Sequence, residues 1–379
     1  MINRFKTALL SGLLVITVTC GAGAQSINAG SRQAESAKPF AVREIASFDT
    51  PWAIAFLPDG RLLVTEKPGA IFLVTQSGRK TPVGNVPAVA ASGQNGLLDI
   101  APSPRFQSDR QVYLTYVEPG AGGSSLALAR ATLAVSGPRA ELEDLKVIWR
   151  QMPKGSGGQP GGIIAFDPSG QHLFLTSGDR MRPSTAQDPD QALGKVLRFN
   201  LDGTTPSDNP HAADGGVRAQ TWTMGHRNPY GLAFAPNGQL WLHEMGPRGG
   251  DEFNRIEPGK NYGWPEVSNG DNYNGTPIPR HATRPEFAAP PLYWNPVIAP
   301  AGLAFYQGTM FPAWQGSALI GGLASMGLVR VTLDGKGGAD EVDRWDLGAR
   351  IRDVAVAPDG AVWVIEDDSP GRLVRLTPL

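Results

Sequence analysis

The chain has 379 residues, 47 of them glycine and 33 proline, and 41% are hydrophobic, enough for a large core; this excludes a disordered chain. Lys and Arg (34) balance Asp and Glu (35) to a formal net charge of −1, and no basic run occurs, which excludes a nucleic-acid partner. Turn formers in this number, spread along the chain, imply many short strands joined by tight turns.

The chain opens on a secretory signal peptide, residues 1–24. Arg4 and Lys6 form its positive start, Ala8 to Val18 an apolar stretch too short to span a membrane, and Ala22-Gly23-Ala24 a small-residue cleavage site. Cys20 is the only cysteine, and Thr17-Val18-Thr19 before it makes a poor lipid-attachment signal, so the mature chain has no thiol and no disulfide. An exported, periplasmic or secreted protein follows, not a transmembrane one. Residues 25–39 are expected to be a flexible segment and residues 40–379 one domain.

One pattern then recurs. "AIAFLPDGRLLVTE" from Ala53, "IIAFDPSGQHLFLTSGD" from Ile163, "GLAFAPNGQLWLHE" from Gly231 and "DVAVAPDGAVWVIED" from Asp353 each show an apolar strand, a Pro-x-Gly turn and a second strand of period two. Weaker copies start at Gly96 and Gly302. Six such units predict an all-β, six-bladed β-propeller, against an array of β-sandwiches with similar turns. "FAVREIASF" (40–48) is placed to close the ring with the C-terminal "GRLVRLTPL".

The chemistry-bearing residues stand just before the strands that open these units. "GQNGLLDI" offers Gln94 and Asn95. "GSGGQPGGIIAF" offers Gln159 on a glycine-rich loop. "GHRNPYGLAF" offers Arg227 and Asn228, and "ARIRDV" offers Arg350 and Arg352 on one face of extended chain. "EMGPRGGDE" bends tightly enough to turn the carbonyls of Gly246 and its neighbours to one point, with Asp251 and Glu252 nearby, as a calcium ion requires. Each stretch alone is also what a solvated turn or strand edge looks like. In a propeller the starts of the inner strands converge, so together they predict a cationic pocket for an anionic cofactor.

"GHRNPYGLAF", "EMGPRGGDE", "GKNYGWP", "IAPAGLAFY" and "RIRDVAVAPDG" together resemble the soluble quinoprotein glucose and aldose sugar dehydrogenases, the glucose/sorbosone dehydrogenase family, over roughly residues 45–378. The resemblance implies a six-bladed propeller that binds pyrroloquinoline quinone (PQQ) and Ca2+. It implies that Arg227 and Asn228 touch the quinone, that Arg350 and Arg352 hold its carboxylates, and that Gln94 adds a contact. Gly246 and Pro247 would donate carbonyls to an active-site calcium, Glu252 and the backbone of Tyr262 would hold a second, and Trp294 would lie near the substrate. A sugar substrate and an external electron acceptor, protein or quinone, are implied as partners of a monomer or homodimer.

The departures are specific. The family's catalytic histidine position holds Gln159, its nearby arginine position Ile163, a quinone-holding lysine position Ala324, and a hydroxyl position Val297. An amide is no base, and general-base help is worth about 10²–10⁴-fold. None of the five histidines replaces it: His226 is expected to point away from Asn228, His243 to be packed within a strand, and His172, His211 and His281 to lie in turns or loops. Sugar oxidation to the lactone is the leading reading, with Gln159 and Arg227 at the reacting centre. A non-catalytic quinone- or sugar-binding propeller and a calcium-dependent lactonase are the alternatives.

Overall fold

Each Pro-x-Gly turn is held by its own residues. In the computed structural model, which describes residues 26–379, Leu57 and Arg61 close the first turn at 2.7 Å and Asp59 Oδ1 accepts from the Arg61 N–H at 3.0 Å. Asn237 and Asp359 do the same for Gln239 and Ala361. The glycine that follows is left-handed in all three turns. The expected signal peptide, with Cys20, lies outside the described residues. Among the described residues no helix is long and apolar enough to cross a membrane.

These hairpins extend into four-stranded antiparallel units. Gly161–Phe166, His172–Ser177, Lys195–Asn200 and Thr221–Met224 form one; Pro300–Phe305, Ala318–Gly322, Gly327–Leu333 and Ala339–Asp346 another. Pro229–Phe234, Leu240–Glu244, Asp251–Ile256 and Leu292–Trp294 make a third, extended by Ile27–Asn28. An eight-stranded sheet consists of two such units, opened by Pro51–Phe56 and Leu97–Pro102, joined where Arg139–Arg150 runs parallel to Lys80–Gly84. The last sheet orders Phe40–Phe48, Gly371–Pro378, Val362–Glu366 and Ile351–Val356, with Phe40 opposite Pro378 and Phe48 opposite Gly371. The closure expected for residues 40–48 is therefore present, and it covers what would be two exposed edges. The opening strands of the units pack side by side in an unbroken cycle around one axis.

Every opening strand has a register shift near its start, as between Pro51 and Ala53 or between Ile351 and Asp353. A bulge frees one N–H and one carbonyl from the ladder. Three threonines use them. Thr65 Oγ accepts from Ala53 N–H (3.0 Å) and donates to Leu98 O of the next unit (2.7 Å). Thr115 does so between Asp99 N–H and Gly162 O, and Thr176 between Ile163 N–H and Pro229 O. In the following unit His243 fills the position, bonding Gly302 O at 2.9 Å; opposite it Gly231 leaves the room, since a Cβ there would come within 2.1 Å of Nε2. Burial depresses His243 to about 4, so it is the packed, neutral histidine expected.

Residues 26–39, expected to be a flexible lead-in, are pinned instead. Ile27–Asn28 pairs with Leu292–Tyr293, the Glu35 N–H donates to Arg344 O at 2.7 Å, and the Arg32 guanidinium donates to the carbonyls of Glu341 and Val342. Buried Arg344 returns bonds to Ala29 O and Arg32 O. The segment serves as a strap over two neighbouring sheets because their outer strands would otherwise present unpaired backbone groups.

Candidate active site

The antiparallel hairpins put the start of each opening strand and the end of the second strand at the same end of the axis. There the side chains form one bonded series. Gln94 Oε1 accepts the Gln159 N–H at 2.7 Å, and Asn95 Nδ2 donates to Gly157 O at 3.0 Å, which frames the glycine-rich loop. Gln159 itself is left-handed (φ 55°) and buried. With its amide nitrogen facing Asp179 it donates to Oδ1 at 2.6 Å, and its oxygen accepts from Arg227 Nη2 at 2.8 Å; this network sets the amide's orientation. Arg227 Nη1 donates to Met245 O (3.1 Å) and Gly246 O (2.9 Å), and the guanidinium lies over Trp264 and Tyr273. Gln94, Gln159, Arg227 and Gly246 thus come together from three units.

Across the mouth, Arg350 and Arg352 share an anion from the chain itself. Asp367 Oδ2 accepts from Arg350 at 2.7 Å and Oδ1 from Arg352 at 2.8 Å. Arg352 lies over the Trp52 ring at 4.3 Å, while Arg350 is half exposed. Several polar atoms here are buried without a partner: Arg352 Nη1, Arg180 Nη1, Asn228 Oδ1 and the Tyr230 hydroxyl. Burial pushes the Tyr230 hydroxyl up to about 12, so it is a neutral donor. Orphaned polar atoms of this kind, three donors and the Asn228 acceptor oxygen, are costly unless something completes them. A planar, multiply charged anion with quinone oxygens fits the set: Arg350, Arg352, Arg227 and Asn228 would hold it. Arg180 is fully buried, donates to Gly157 O, and has burial lowering it to about 10; it opens the segment 180–190, one of the long stretches between hairpins that the sequence offers as a candidate functional loop.

The metal candidates separate. Asp251 clamps the loop, accepting from the N–H groups of Gly246, Ile298 and Ala299, and burial raises it to about 7; it offers no free carboxylate to a cation. The Gly246 carbonyl is engaged by Arg227, and Pro247 is buried beside it. Glu252, Tyr262, Gly246 and Glu244 instead line a small cavity of about 10 Å³, room for one ion the size of a water. Glu252 Oε1 there meets His281 Nε2 at 3.0 Å. No group of three or more His, Cys, Asp or Glu suited to a metal occurs among the described residues, so any cation here relies on backbone oxygen as well.

Trp294 is not at the mouth. It is fully buried between sheets and donates through Nε1 to Glu341 Oε2 at 2.6 Å, because the strand alternation that pairs it with Asp251 turns its ring inward. Val297 and Ala324 lie together on the rim, where Ala324 N–H donates to Ile298 O. Ile163 faces the axial cavity, of about 220 Å³, with Asp99, Asp353, Gly302 and Tyr230. His226 points away from Asn228, to Glu244 Oε1 (2.8 Å) and Thr223. His172 starts a strand against Asp167, and His211 sits in a loop beside Asp214. His281 belongs to a short 3-10 turn but is buried on Glu252.

The model of the family described as "Glucose / Sorbosone dehydrogenase" matches residues 48–375. The chain belongs to this family. It is 40% identical to aldose sugar dehydrogenase YliI of Escherichia coli (strain K12) over 339 residues, covering 87% of this chain and 90% of the relative. A solved structure described as a glucose dehydrogenase superposes with a TM-score of 0.84 at 43% identity, covering 88% of this chain and 99% of that one. The PQQ-bound form of an aldose sugar dehydrogenase from Streptomyces coelicolor superposes with a TM-score of 0.71 at 29% identity, covering 89% and 98%.

Asp179 went unremarked in the sequence, where "LTSGD" reads as a strand running into a turn. It is fully buried, and burial raises its carboxyl to about 6 against the bonds from Trp264 Nε1 (2.8 Å) and the Met181 N–H. A buried acid bonded to Gln159 in this series is the kind of perturbed group that marks a functional site.

Proposed function

We propose that the protein is an exported, six-bladed quinoprotein that oxidises the anomeric hydroxyl of an aldose, or a related alcohol, to the lactone. The eight-stranded sheet counts as two blades in this reading. Bound PQQ supplies a two-electron acceptor for the hydride on the substrate carbon, and the electrons leave to an external acceptor. The chain's own part is to hold and orient. Arg350 and Arg352 bind the cofactor's carboxylates, with Asp367 keeping the two guanidiniums together until it arrives. Arg227 and Asn228 direct hydrogen bonds at its quinone oxygens, and Gln94 fixes the Gln159 loop. Gln159 presents its second amide hydrogen and lone pair to the substrate hydroxyl. Calcium belongs at the small cavity of Glu252 and the Tyr262 backbone, and a second ion at the Gly246 and Pro247 carbonyls must displace the bond from Arg227.

The observation that carries the reading is the coexistence at one mouth of unpartnered buried donors with the Gln94–Gln159–Arg227 series. Apoprotein titrated with PQQ and Ca2+ should develop a shifted quinone spectrum and then reduce a dye acceptor when an aldose is added. No spectral change at saturating quinone would overturn it. The amide at position 159 favours a second reading, a quinone-binding propeller without turnover. Bound quinone with no dye reduction for any aldose would select it.

A further inference from the structure

Asp179 sits where a base is needed. The residue follows the strand His172–Ser177, and its N–H is tied to Arg227 O at 2.9 Å. Its Oδ2 is fixed by Trp264 Nε1. Its Oδ1 takes the Met181 N–H at 2.9 Å and the Gln159 amide at 2.6 Å. Only the last of these partners is a freely rotatable side chain. The backbone around it is also unusual: Gln159, Arg180 and Met181 all have φ between 54° and 58°, a region that side chains other than glycine seldom adopt and that gathers at functional sites. Those turns hold the carboxylate beneath the mouth with one oxygen directed at position 159.

We propose, building on the oxidoreductase reading above, that Asp179 accepts the proton of the substrate hydroxyl in this chain, with the Gln159 amide swinging off Oδ1 to admit that hydroxyl. The exchange replaces an amide N–H donor by a substrate O–H donor, so Oδ1 keeps its bond. In the step the substrate O–H breaks and its proton goes to Asp179 Oδ1. The carbon's C–H bond breaks with both electrons passing to the bound quinone as hydride, and the C–O bond becomes the lactone C=O. The quinone is reduced, the sugar carbon is oxidised, and the proton leaves Asp179 to solvent when the product departs. Burial supplies the basicity, raising the carboxyl to about 6. Of the charged groups facing it, Arg227 and Arg182 favour the carboxylate and Glu244 opposes it. A base poised near the working pH is the effective kind.

The test compares wild type, Asp179→Asn and Gln159→Ala with PQQ, Ca2+, aldose and dye. Asp179→Asn should melt like the wild type and bind the quinone within about twofold, yet lose at least about 100-fold in turnover. The wild-type fall in kcat/KM below about pH 6 should vanish with it, while Gln159→Ala, whatever its turnover, should keep that fall. Without any quinone, infrared difference spectra should show a protonated carboxyl band that titrates near pH 6 in wild type and is absent from Asp179→Asn. Equal turnover in Asp179→Asn, an acid limb that survives in it, or the loss of that limb in Gln159→Ala would each overturn the proposal and leave the oxidoreductase reading standing. A wild type that binds quinone but oxidises no aldose would overturn both. Should Asp179→Asn fail to fold, Asp179→Glu decides: turnover with an acid limb supports the base, and a folded, inactive protein refutes it.

Discussion

Asp367 and Asp353 are neighbours in sequence and opposites in chemistry. Asp367, at the mouth, is partly buried, and burial works to raise it; Arg352 and Arg350 nevertheless hold it below its ordinary value. Asp353, in the axial cavity, has only backbone partners, Ile54 N–H and Val354 N–H at 2.8 Å each. Burial pushes it up to about 8, and Asp99 across the cavity, itself near 6, adds to the rise. The mouth therefore keeps its charges, in pairs that a ligand can re-partner, while the axis suppresses them. Ile163, lining the axis with both acids, brings no cation to them.

The largest effect that would sharpen this contrast is at the mouth. Gln159→His places an imidazole against Asp179 and should raise aldose turnover by about 10²-fold in dye-reduction assays, within the general-base range. No gain despite bound quinone would show that an imidazole at position 159 adds nothing to the mouth's own proton acceptor. Next is Arg352→Ala. Each charge-assisted bond is worth about 1.5–3 kcal/mol, so quinone affinity should fall by about 10- to 150-fold in a spectral titration, whereas Asp353→Asn leaves it within about twofold. If the two variants bind alike, the division between mouth and axis fails.

Removing calcium should act on stability. An ion at a hundredfold excess over its Kd adds about 2.7 kcal/mol, so chelator should lower the Tm of wild type by a few degrees, and Glu252→Ala should flatten that response. A melting curve indifferent to EDTA would remove the metal from both regions. Per pH unit, the smallest effect belongs to the axis. Because Asp353 is raised from 3.8 to about 8, the folded chain binds a proton that the unfolded chain releases across that window, so this residue costs stability progressively as pH rises through it. Relative to Asp353→Asn, wild type should lose up to about 1.4 kcal/mol per pH unit in urea denaturation between pH 5 and 8. Parallel pH profiles would show that the acid is not suppressed.

What could be read beforehand followed range along the chain. The hairpins were legible because Pro-x-Gly turns and period-two strands are local, and the closing strand because its alternation matched an unpaired partner. Glu252 stood out as a carboxylate beside a tight glycine bend, whereas Tyr262 was suggested only through resemblance. Trp294 was misplaced because an aromatic residue's direction depends on strand register, here the pairing with Asp251, and not on its neighbours. Asp179 acquires meaning only when Trp264 reaches it from the next unit and Gln159 from the loop before its own, and a lone aspartate after glycine looks like any turn. The strap at residues 26–39 was missed for the same reason: Ser26 bonds Pro290 O, and Arg32 bonds Glu341 O, contacts that no local pattern encodes.

The pairing of Phe40–Phe48 with Gly371–Pro378 has a temporal consequence. A strand made near the beginning of synthesis waits for its partner until almost the last residues have been added. Antiparallel hairpins can form as they emerge, since their contacts are near in sequence, but the seam that completes the circle has nearly the greatest separation this chain allows. Until Gly371–Pro378 has been made, the ring stays an open arc with a bare edge at each end, and anything that holds Phe40–Phe48 back keeps the seam unlocked.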